Sequence, residues 1–180
     1  MTNITVARKY SRALLEIGLK NGSQETLGQE LQKINELIFA HKELRNVLFS
    51  SAYPTPIRKG IFQTLSRMLG LSPTIVDFTE LLIDRGRINH LAEIAKSYEE
   101  LCDEVANRIR ATLYTALPLS TTLLEEIRTH LESATGKKIL LSIEERPALI
   151  GGVAAQIGHV IYDGTLKTQL RRIKENLDKE

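Results

Sequence analysis

The first 105 residues repeat apolar side chains at intervals of three and four, which is the spacing of one face of an α-helix. The first such segment ends near Gly22, and its apolar positions are Val6, Tyr10, Ala13, Leu14 and Ile17. Five further stretches follow the same rule and begin near Ser23, Leu44, Thr55, Ser72 and Asn89. Six short helices predict a compact bundle over residues 1–105.

Prolines and glycines separate these helical stretches. Thr55-Pro56 and Ser72-Pro73 have the form of a capping residue followed by proline at a helix start. Glycine follows the fourth and fifth stretches at Gly70 and Gly86, where a helix can end in a left-handed turn.

Residues 106–180 have a different sequence pattern, which predicts a small α+β domain. The segment 111–116 and the segment 138–143 have the composition of strands, and 153–161 predicts one bent strand or a hairpin near Gly158. Ser120 or Thr122 caps an intervening helix, with Glu125 three residues after Thr122 as in a capping box, and Gly136 suits the position just after its end. A last helix is predicted from Thr165. The pairing of the strands stays open, and the fold class is mainly α, with a six-helix bundle followed by this α+β domain.

The charge balance sets limits on the partners. Lys and Arg number 24 against 22 Asp and Glu, a net charge of +2, and 42% of residues are hydrophobic. This composition excludes a disordered chain and argues against a nucleic-acid-binding protein, which usually has a clustered basic excess. No apolar run approaches the roughly 18 residues of a membrane span. The single cysteine, Cys102, fits a reducing compartment.

No combination of residues predicts a reaction, a metal site or a cofactor. The four histidines are scattered among different elements and are expected on the surface; they are His41, His90, His130 and His159. Cys102 is expected to be a small buried residue. The acidic doublets at 99–100, 103–104, 125–126 and 144–145 are expected to be solvated. The glycines at 151, 152 and 158 lack a phosphate-binding motif, and Asp163-Gly164 predicts a turn.

Several motifs occur in a specific order along the chain. They are ARKYSRAL at 7–14, LLIDRGRI at 81–88, ALPLS at 116–120, LIGG at 149–152, and then Ile157-Gly158, Asp163-Gly164-Thr165 and Gln169-Leu170. Together they resemble the delta subunit family of F-type ATP synthases, the bacterial counterpart of the mitochondrial oligomycin-sensitivity-conferring protein. The departures from the family pattern are Asp77, Arg146, His159 and Thr165; these positions are not catalytic in the family.

The resemblance implies a non-catalytic stator subunit, without cofactor or metal, at the cytoplasmic face of the bacterial inner membrane. In that family the N-terminal domain, here 1–105, binds the N-terminal segment of an alpha subunit in a groove between the first and fifth helices. The C-terminal domain, here 106–180, binds the peripheral-stalk b subunits, so that rotation is coupled to ATP synthesis and proton transport. Carried onto this chain, the groove residues are Tyr10, Ala13, Leu14, Ile17, Phe78, Leu81 and Leu82. The stalk-binding residues are Gly151, Gly152, Leu166, Lys167, Leu170 and Arg171.

Two other functional classes stay open from the sequence alone. A helical RNA-associated factor is the main alternative, because small bundles with exposed Arg and Lys also serve that role, although the balanced charge argues against it. A small enzyme is the third, and it lacks a nucleophile, a metal set and a phosphate loop.

Overall fold

A computed structural model of the chain describes residues 3–147, 149, 151–158, 160–165 and 168. The contacts divide the chain into two compact units, Met1–Cys102 and Asp103–Glu180. This division lies three residues before the predicted boundary at 105.

The described part of the chain up to Val105 forms six α-helices and one 3₁₀ helix, as the apolar spacing predicts. The α-helices are α1 Asn3–Asn21, α2 Gln24–Ala40, α3 Lys42–Phe49, α4 Thr55–Leu69, α5 Pro73–Asp84 and α6 Leu91–Val105, with the 3₁₀ helix at Ile88–His90. The predicted fold class, a helical bundle followed by a small α+β domain, is confirmed.

The core of the bundle is built from the apolar stripes of these helices. Its largest fully buried side chains are Leu14, Leu27, Leu31, Ile34, Ile38, Leu48, Phe62, Ile75, Leu82, Ile83, Ile88 and Tyr98. The Tyr98 hydroxyl donates a hydrogen bond of 2.9 Å to the carbonyl oxygen of Gln24, so that α6 is tied to the start of α2. Burial raises the pKa of the Tyr98 phenol.

The starts of α4 and α5 differ in detail from the prediction. Pro54, not Thr55, occupies the N-cap position of α4, and the hydroxyl of Thr55 accepts a hydrogen bond from Arg58. Ser72 is the N-cap of α5, but its hydroxyl does not cap the helix. It donates instead to Glu30 on α2, at 2.6 Å, and the Ser72 N–H also donates to that carboxylate. The end of α4 is as predicted, because Gly70 adopts the left-handed conformation with φ of 62°.

The second unit holds a four-stranded sheet and one described α-helix. The elements are β1 Arg108–Thr115, α7 Thr121–Thr135, β2 Lys138–Glu145, β3 Val153–Ile157 and β4 Val160–Asp163. The strand order is β2-β1-β3-β4. β1 and β2 are parallel and α7 connects them, while β3 pairs antiparallel with both β1 and β4. Of the two forms left open for 153–161, the structure has the hairpin, with Gly158 at φ of 58°.

The two faces of the sheet differ in polarity. The register aligns Leu113 with Ile143 and Ala155, so these side chains share one face, which we call the apolar face. The opposite, polar face carries a hydrogen bond between Thr112 and Ser142, which lie opposite one another in the register, and one between Tyr114 and Gln156, which are diagonal neighbours on β1 and β3. α7 lies on the apolar face, because Leu124 lines one cavity together with Ile139, Leu141 and Ile143, the β2 residues of that face; Leu140 also borders the cavity.

The caps of α7 are confirmed in part. Ser120, one of the two predicted candidates, is the N-cap and accepts a hydrogen bond from the Leu123 N–H. The predicted capping box of Thr122 and Glu125 is wrong, because Thr122 lies inside the helix and Glu125 pairs with Arg128. Gly136 ends the helix with φ of 67°, as predicted.

Asp163 forms the local turn that the sequence predicts. Its carboxylate accepts hydrogen bonds from the Thr165 N–H at 2.9 Å and from the Thr168 hydroxyl at 2.8 Å. Most of the predicted last helix, which begins at Thr165, lies outside the described residues. Within the described part of the chain, no helix combines the length and the apolar character that a membrane span requires.

Candidate partner-binding surfaces

The residues predicted for the alpha-binding groove separate into a buried and an accessible group. Leu14 and Leu82 are fully buried, and Phe78 is nearly so. That these three contact a partner stays a prediction; in the free chain they belong to the apolar face that each helix turns toward the core. Ala13 on α1 is exposed.

The remaining groove residues stay at the surface. Tyr10 is half-buried, and Ile17 and Leu81 are each 43% exposed. Because Tyr10, Ala13 and Ile17 are spaced by three and four, they lie along one side of α1. Sequence spacing alone could not show that Leu81 is exposed and Leu82 buried, since both follow the apolar pattern of α5.

One contact brings α1 and α5 together. The rings of Tyr10 and Phe78 meet edge to face, with centroids 6.3 Å apart and planes at 73°. Tyr10 therefore bridges the buried part of α5 and the exposed side of α1. We call the accessible set Tyr10, Ala13, Ile17 and Leu81 the α1/α5 surface.

Charged side chains lie beside this surface on both helices. Lys9 and Lys20 are exposed on α1, and Asp77 and Asp84 are exposed on α5. By helical geometry, Lys9 and Lys20 stand next to Ala13 on the outer side of α1, and Asp77 stands one turn before Leu81. The α1/α5 surface is therefore apolar, with a basic border on one helix and an acidic border on the other.

Polar contacts to two neighbouring helices hold α5 in place. Lys59 on α4 binds Asp84 at 2.6 Å and Glu80 at 3.4 Å. The hydrogen bond to Asp84 is the main cause that raises the pKa of Lys59 above its ordinary value. Gln63 also donates to Glu80 at 2.8 Å. The contact of Glu30 with Ser72 fixes the other end of α5, so the helix that carries Leu81 is held at both ends.

The predicted stalk-binding residues are only partly within the described chain. Gly151 is half-buried and Gly152 is exposed, and the φ of 84° at Gly152 explains why glycine is needed there. Leu166, Lys167, Leu170 and Arg171 lie outside the described residues. The structure therefore does not bring this group together.

The histidines and the cysteine were the residues to check for a metal or catalytic site. His41 and His130 are exposed, but His90 is buried, contrary to the expectation of a surface histidine, because it ends the 3₁₀ helix that packs against α3 and α5. His159 lies outside the described residues. Cys102 is buried, as expected. Over residues 3–147 and the described positions after them, no three His, Cys, Asp or Glu residues group as metal ligands would.

Asp103 corrects the expectation that the acidic doublets are solvated. It is only 7% exposed, and its carboxylate accepts hydrogen bonds from Arg108 at 2.6 Å and from Arg110 at 2.5 Å. Arg108 and Arg110 are two residues apart on β1, so both side chains project from the same face of the strand. The signal in the sequence was this alternation of arginines on β1, following an aspartate in the last turn of α6.

Arg146, a departure from the family pattern, also has a defined place. Its guanidinium lies 3.7 Å from the centroid of the Tyr114 ring and hydrogen-bonds Glu144 at 3.1 Å. The bond to Glu144 is the main cause that raises the pKa of Arg146. Arg146 covers part of the polar face of the sheet.

Comparisons with known proteins agree on one family. A family model described as "ATP synthase delta (OSCP) subunit" matches residues 6–177. Proteins named "ATP synthase subunit delta" from Geotalea uraniireducens and Citrifermentans bemidjiense are 36% and 38% identical over 179 residues, covering 99% of this chain and 99% of each relative. A chain in the structure titled "Cryo-EM structure of Toxoplasma gondii mitochondrial ATP synthase hexamer, composite model" superposes with a TM-score of 0.69 at 20% identity, covering 98% of both chains. That last similarity concerns the fold alone.

Proposed function

Because this chain belongs to the ATP synthase delta (OSCP) subunit family, we propose that it is a non-catalytic stator component that links the catalytic head to the peripheral stalk. In this role it binds the N-terminal segment of an alpha subunit through its helical bundle and the b subunits through its C-terminal domain. The link prevents the head from turning with the rotor, so that rotation is coupled to ATP synthesis. The proposed location is the cytoplasmic face of the bacterial inner membrane, reached through the complex.

The observation that carries the alpha-binding half of the proposal is the Tyr10–Phe78 contact between α1 and α5. It joins two helices whose outward sides both carry exposed apolar residues, and a partner helix laid along them would bury Ala13, Ile17 and Leu81 together. An amphipathic helix in an apolar groove is a common mode of recognition, in which a few apolar anchors supply most of the affinity. The basic border of α1 and the acidic border of α5 would set the direction of the partner helix and the rate of association.

A calorimetric titration tests the alpha-binding half of the proposal. The probe is a synthetic peptide of the alpha N-terminal segment from the same genome, titrated into the full chain and into the variants Ile17→Asp and Leu81→Asp. Each variant should bind at least about tenfold more weakly, because a charge placed among apolar anchors costs more than about 1.4 kcal/mol.

Met68→Asp is the matched control. Met68 is 81% exposed on α4, so the same apolar-to-acidic change there tests the effect of charge alone. Binding by Met68→Asp should equal that of the unchanged chain. The α1/α5 assignment fails if Ile17→Asp and Leu81→Asp bind the peptide as tightly as Met68→Asp does.

The stalk-binding half is tested on membranes washed free of the catalytic head. The full chain should be retained by such membranes, and retention should fall in a double variant, Lys167→Glu with Arg171→Glu. The basic residues are proposed to meet an acidic helical partner, so retention by the unchanged chain should also weaken as salt rises. Lys9→Glu with Lys20→Glu, the same change in charge on α1, is the control and should leave retention intact. Equal retention of both double variants would contradict the assignment.

A further inference from the structure

Strand β2 lies at one edge of the sheet, and no described strand pairs with its outer side. The backbone N–H groups of Lys138 and Arg146 donate to carbonyl oxygens beside the two ends of β1, at 3.1 Å and 2.8 Å. Backbone groups alternate in direction along a strand, so every second residue between these two directs its N–H away from β1. The outward groups therefore include those of Ile139, Leu141 and Ile143.

One of these outward groups is covered by the helix that precedes β2. The Ile139 N–H donates to the carboxylate of Glu132 on α7, at 3.0 Å. Among the described residues, no group accepts from the N–H groups of Leu141 and Ile143, and we call the backbone of these two residues the free edge. Proteins usually block such an edge with a proline, a bulge or a covering element, because it can pair with a strand of another chain. β2 has eight residues and no proline, so its edge is competent for pairing.

An apolar cavity of about 360 Å³ accompanies the free edge. It is lined by Leu124 and Arg128 on α7 and by β2 residues 139–141 and 143. Leu140 projects from the polar face and the other three from the apolar face, so the cavity reaches the outer edge of the strand. Leu140 is 39% exposed and Ile143 is 47% exposed. A strand added at the free edge would bury these side chains, as in recognition by strand addition.

The charges of β2 select the strand that can be added. Lys138 and Glu144 stand near opposite ends of β2, and both are exposed on the polar face. An antiparallel strand with the same order of charges would bring its acidic end to Lys138 and its basic end to Glu144. β2 has this order, so a second copy of the chain supplies a complementary strand.

We propose that two copies of this chain pair antiparallel through β2, with Leu141 opposite Leu141 of the second copy on a two-fold axis. In this register Lys138 lies opposite Glu144 of the second copy, and Ile143 lies opposite Ile139 of the second copy. A shift by two residues toward the end of the strand would place Lys138 opposite Arg146, and like charges directly opposite destabilise a sheet. The same surface patch serves both copies, as a two-fold interface requires, and the N–H groups of the free edge gain acceptors.

The C-terminal segment of the chain starts far from the free edge. Thr165 follows β4, and the Thr168 hydroxyl donates to Asp163 on β4 at 2.8 Å. β4 is the opposite edge of the sheet, three strand spacings or about 14 Å from β2. The pairing uses no residue assigned to the alpha or b partners, so its failure and the failure of the proposed function are separate results.

Disulfide trapping in the full chain tests the register. In a Cys102→Ser background, Leu141→Cys should form a disulfide-linked dimer on mild oxidation. The Cα atoms of a hydrogen-bonded antiparallel pair lie about 5.5 Å apart, and a disulfide allows about 7 Å. Ile143→Cys is the matched control on the same face of the strand, because its Cα would lie about 14 Å from its counterpart in the second copy. Equal dimer yields from the two variants, or no dimer from Leu141→Cys, would overturn the proposal.

Analytical ultracentrifugation tests the pairing without cysteine variants. The dimer fraction of the unchanged chain should rise with concentration. Lys138→Glu should raise the dissociation constant at least about tenfold, because the two-fold axis places like charges opposite one another twice. Adding Glu144→Lys to that variant should restore the dimer, and Lys96→Glu, at an exposed position on α6, should leave it unchanged. A monomer at every concentration, or no rescue by the second charge change, would contradict the pairing.

Hydrogen exchange separates pairing with a second copy from cover within one chain. The amides of Leu141 and Ile143 should exchange rapidly in dilute solution and become protected as the chain is concentrated. The Ile139 amide, which is bonded to Glu132, should be protected throughout. Protection of Leu141 and Ile143 that does not change on dilution would show that the chain covers its own edge, and this result would overturn the proposal.

Discussion

Tyr10 on α1 and Phe78 on α5 meet edge to face, with their ring centroids 6.3 Å apart. Phe78 is buried in the bundle core, whereas Tyr10 is half-buried, so this pair marks the line where the core ends and the accessible α1/α5 surface begins. The pair therefore supports both the packing of two helices and the shape of the proposed docking surface.

A double-mutant cycle should measure the coupling of these two rings. Tyr10→Leu, Phe78→Leu and the double variant should show an interaction energy of about 0.5–1.5 kcal/mol in urea unfolding, since edge-to-face pairs contribute this much beyond burial of area. Tyr10→Leu with Phe62→Leu is the control, because Phe62 forms no ring contact with Tyr10 among the described residues. Additive effects in the Tyr10–Phe78 cycle would show that the rings do not interact.

Leu81 and Leu82 should respond very differently to the same change. Leu82 is fully buried and Leu81 is 43% exposed. Leu82→Ala should therefore lower the free energy of unfolding by about 2–5 kcal/mol, because it leaves a cavity in the core. Leu81→Ala should lower it by less than about 1 kcal/mol and should weaken peptide binding instead. Urea titrations of both variants, with calorimetry on Leu81→Ala, measure the two effects, and equal destabilisation would contradict the assigned burial.

Asp103 should contribute strongly to stability, whereas its exposed neighbour Glu104 should not. Asp103→Asn removes the negative charge that faces Arg108 and Arg110, and we expect a loss of about 1–3 kcal/mol. Glu104→Gln, at an exposed position, is the matched control and should change stability by less than about 0.5 kcal/mol. Urea unfolding and hydrogen exchange of the β1 amides measure this loss of stability. If Asp103 were solvated, Asp103→Asn would cause no such loss.

The contribution of Lys59 should depend on pH only in the alkaline range. Its pKa is raised in the folded chain above the ordinary value of 10.5, mainly by the hydrogen bond to Asp84. A raised pKa means that the stabilisation is fully present below 10.5 and is lost as pH rises through the folded value. The difference in stability between the unchanged chain and Lys59→Met should therefore be constant from neutral pH to about pH 10 and fall as the pH rises above 10.5. A difference that varied across the neutral range would point to another group.

Local patterns in the sequence determined much of this protein. Apolar residues at intervals of three and four predicted the helices, because a helix with an apolar stripe must bury it. Glycines such as Gly70 and Gly136 predicted helix ends, since they adopt positive φ without strain. Motifs in a specific order led to the family, and the comparisons confirmed it.

Only the tertiary structure decided which members of each pattern are accessible. Leu81 and Leu82 have the same side chain and adjacent positions, and the packing of α5 against its neighbours exposes one and buries the other. The pairing of the strands was also beyond the sequence, because it depends on contacts between residues far apart along the chain. Periodicity determines which side chains share a face, but the neighbours of that face determine whether it serves the core or a partner.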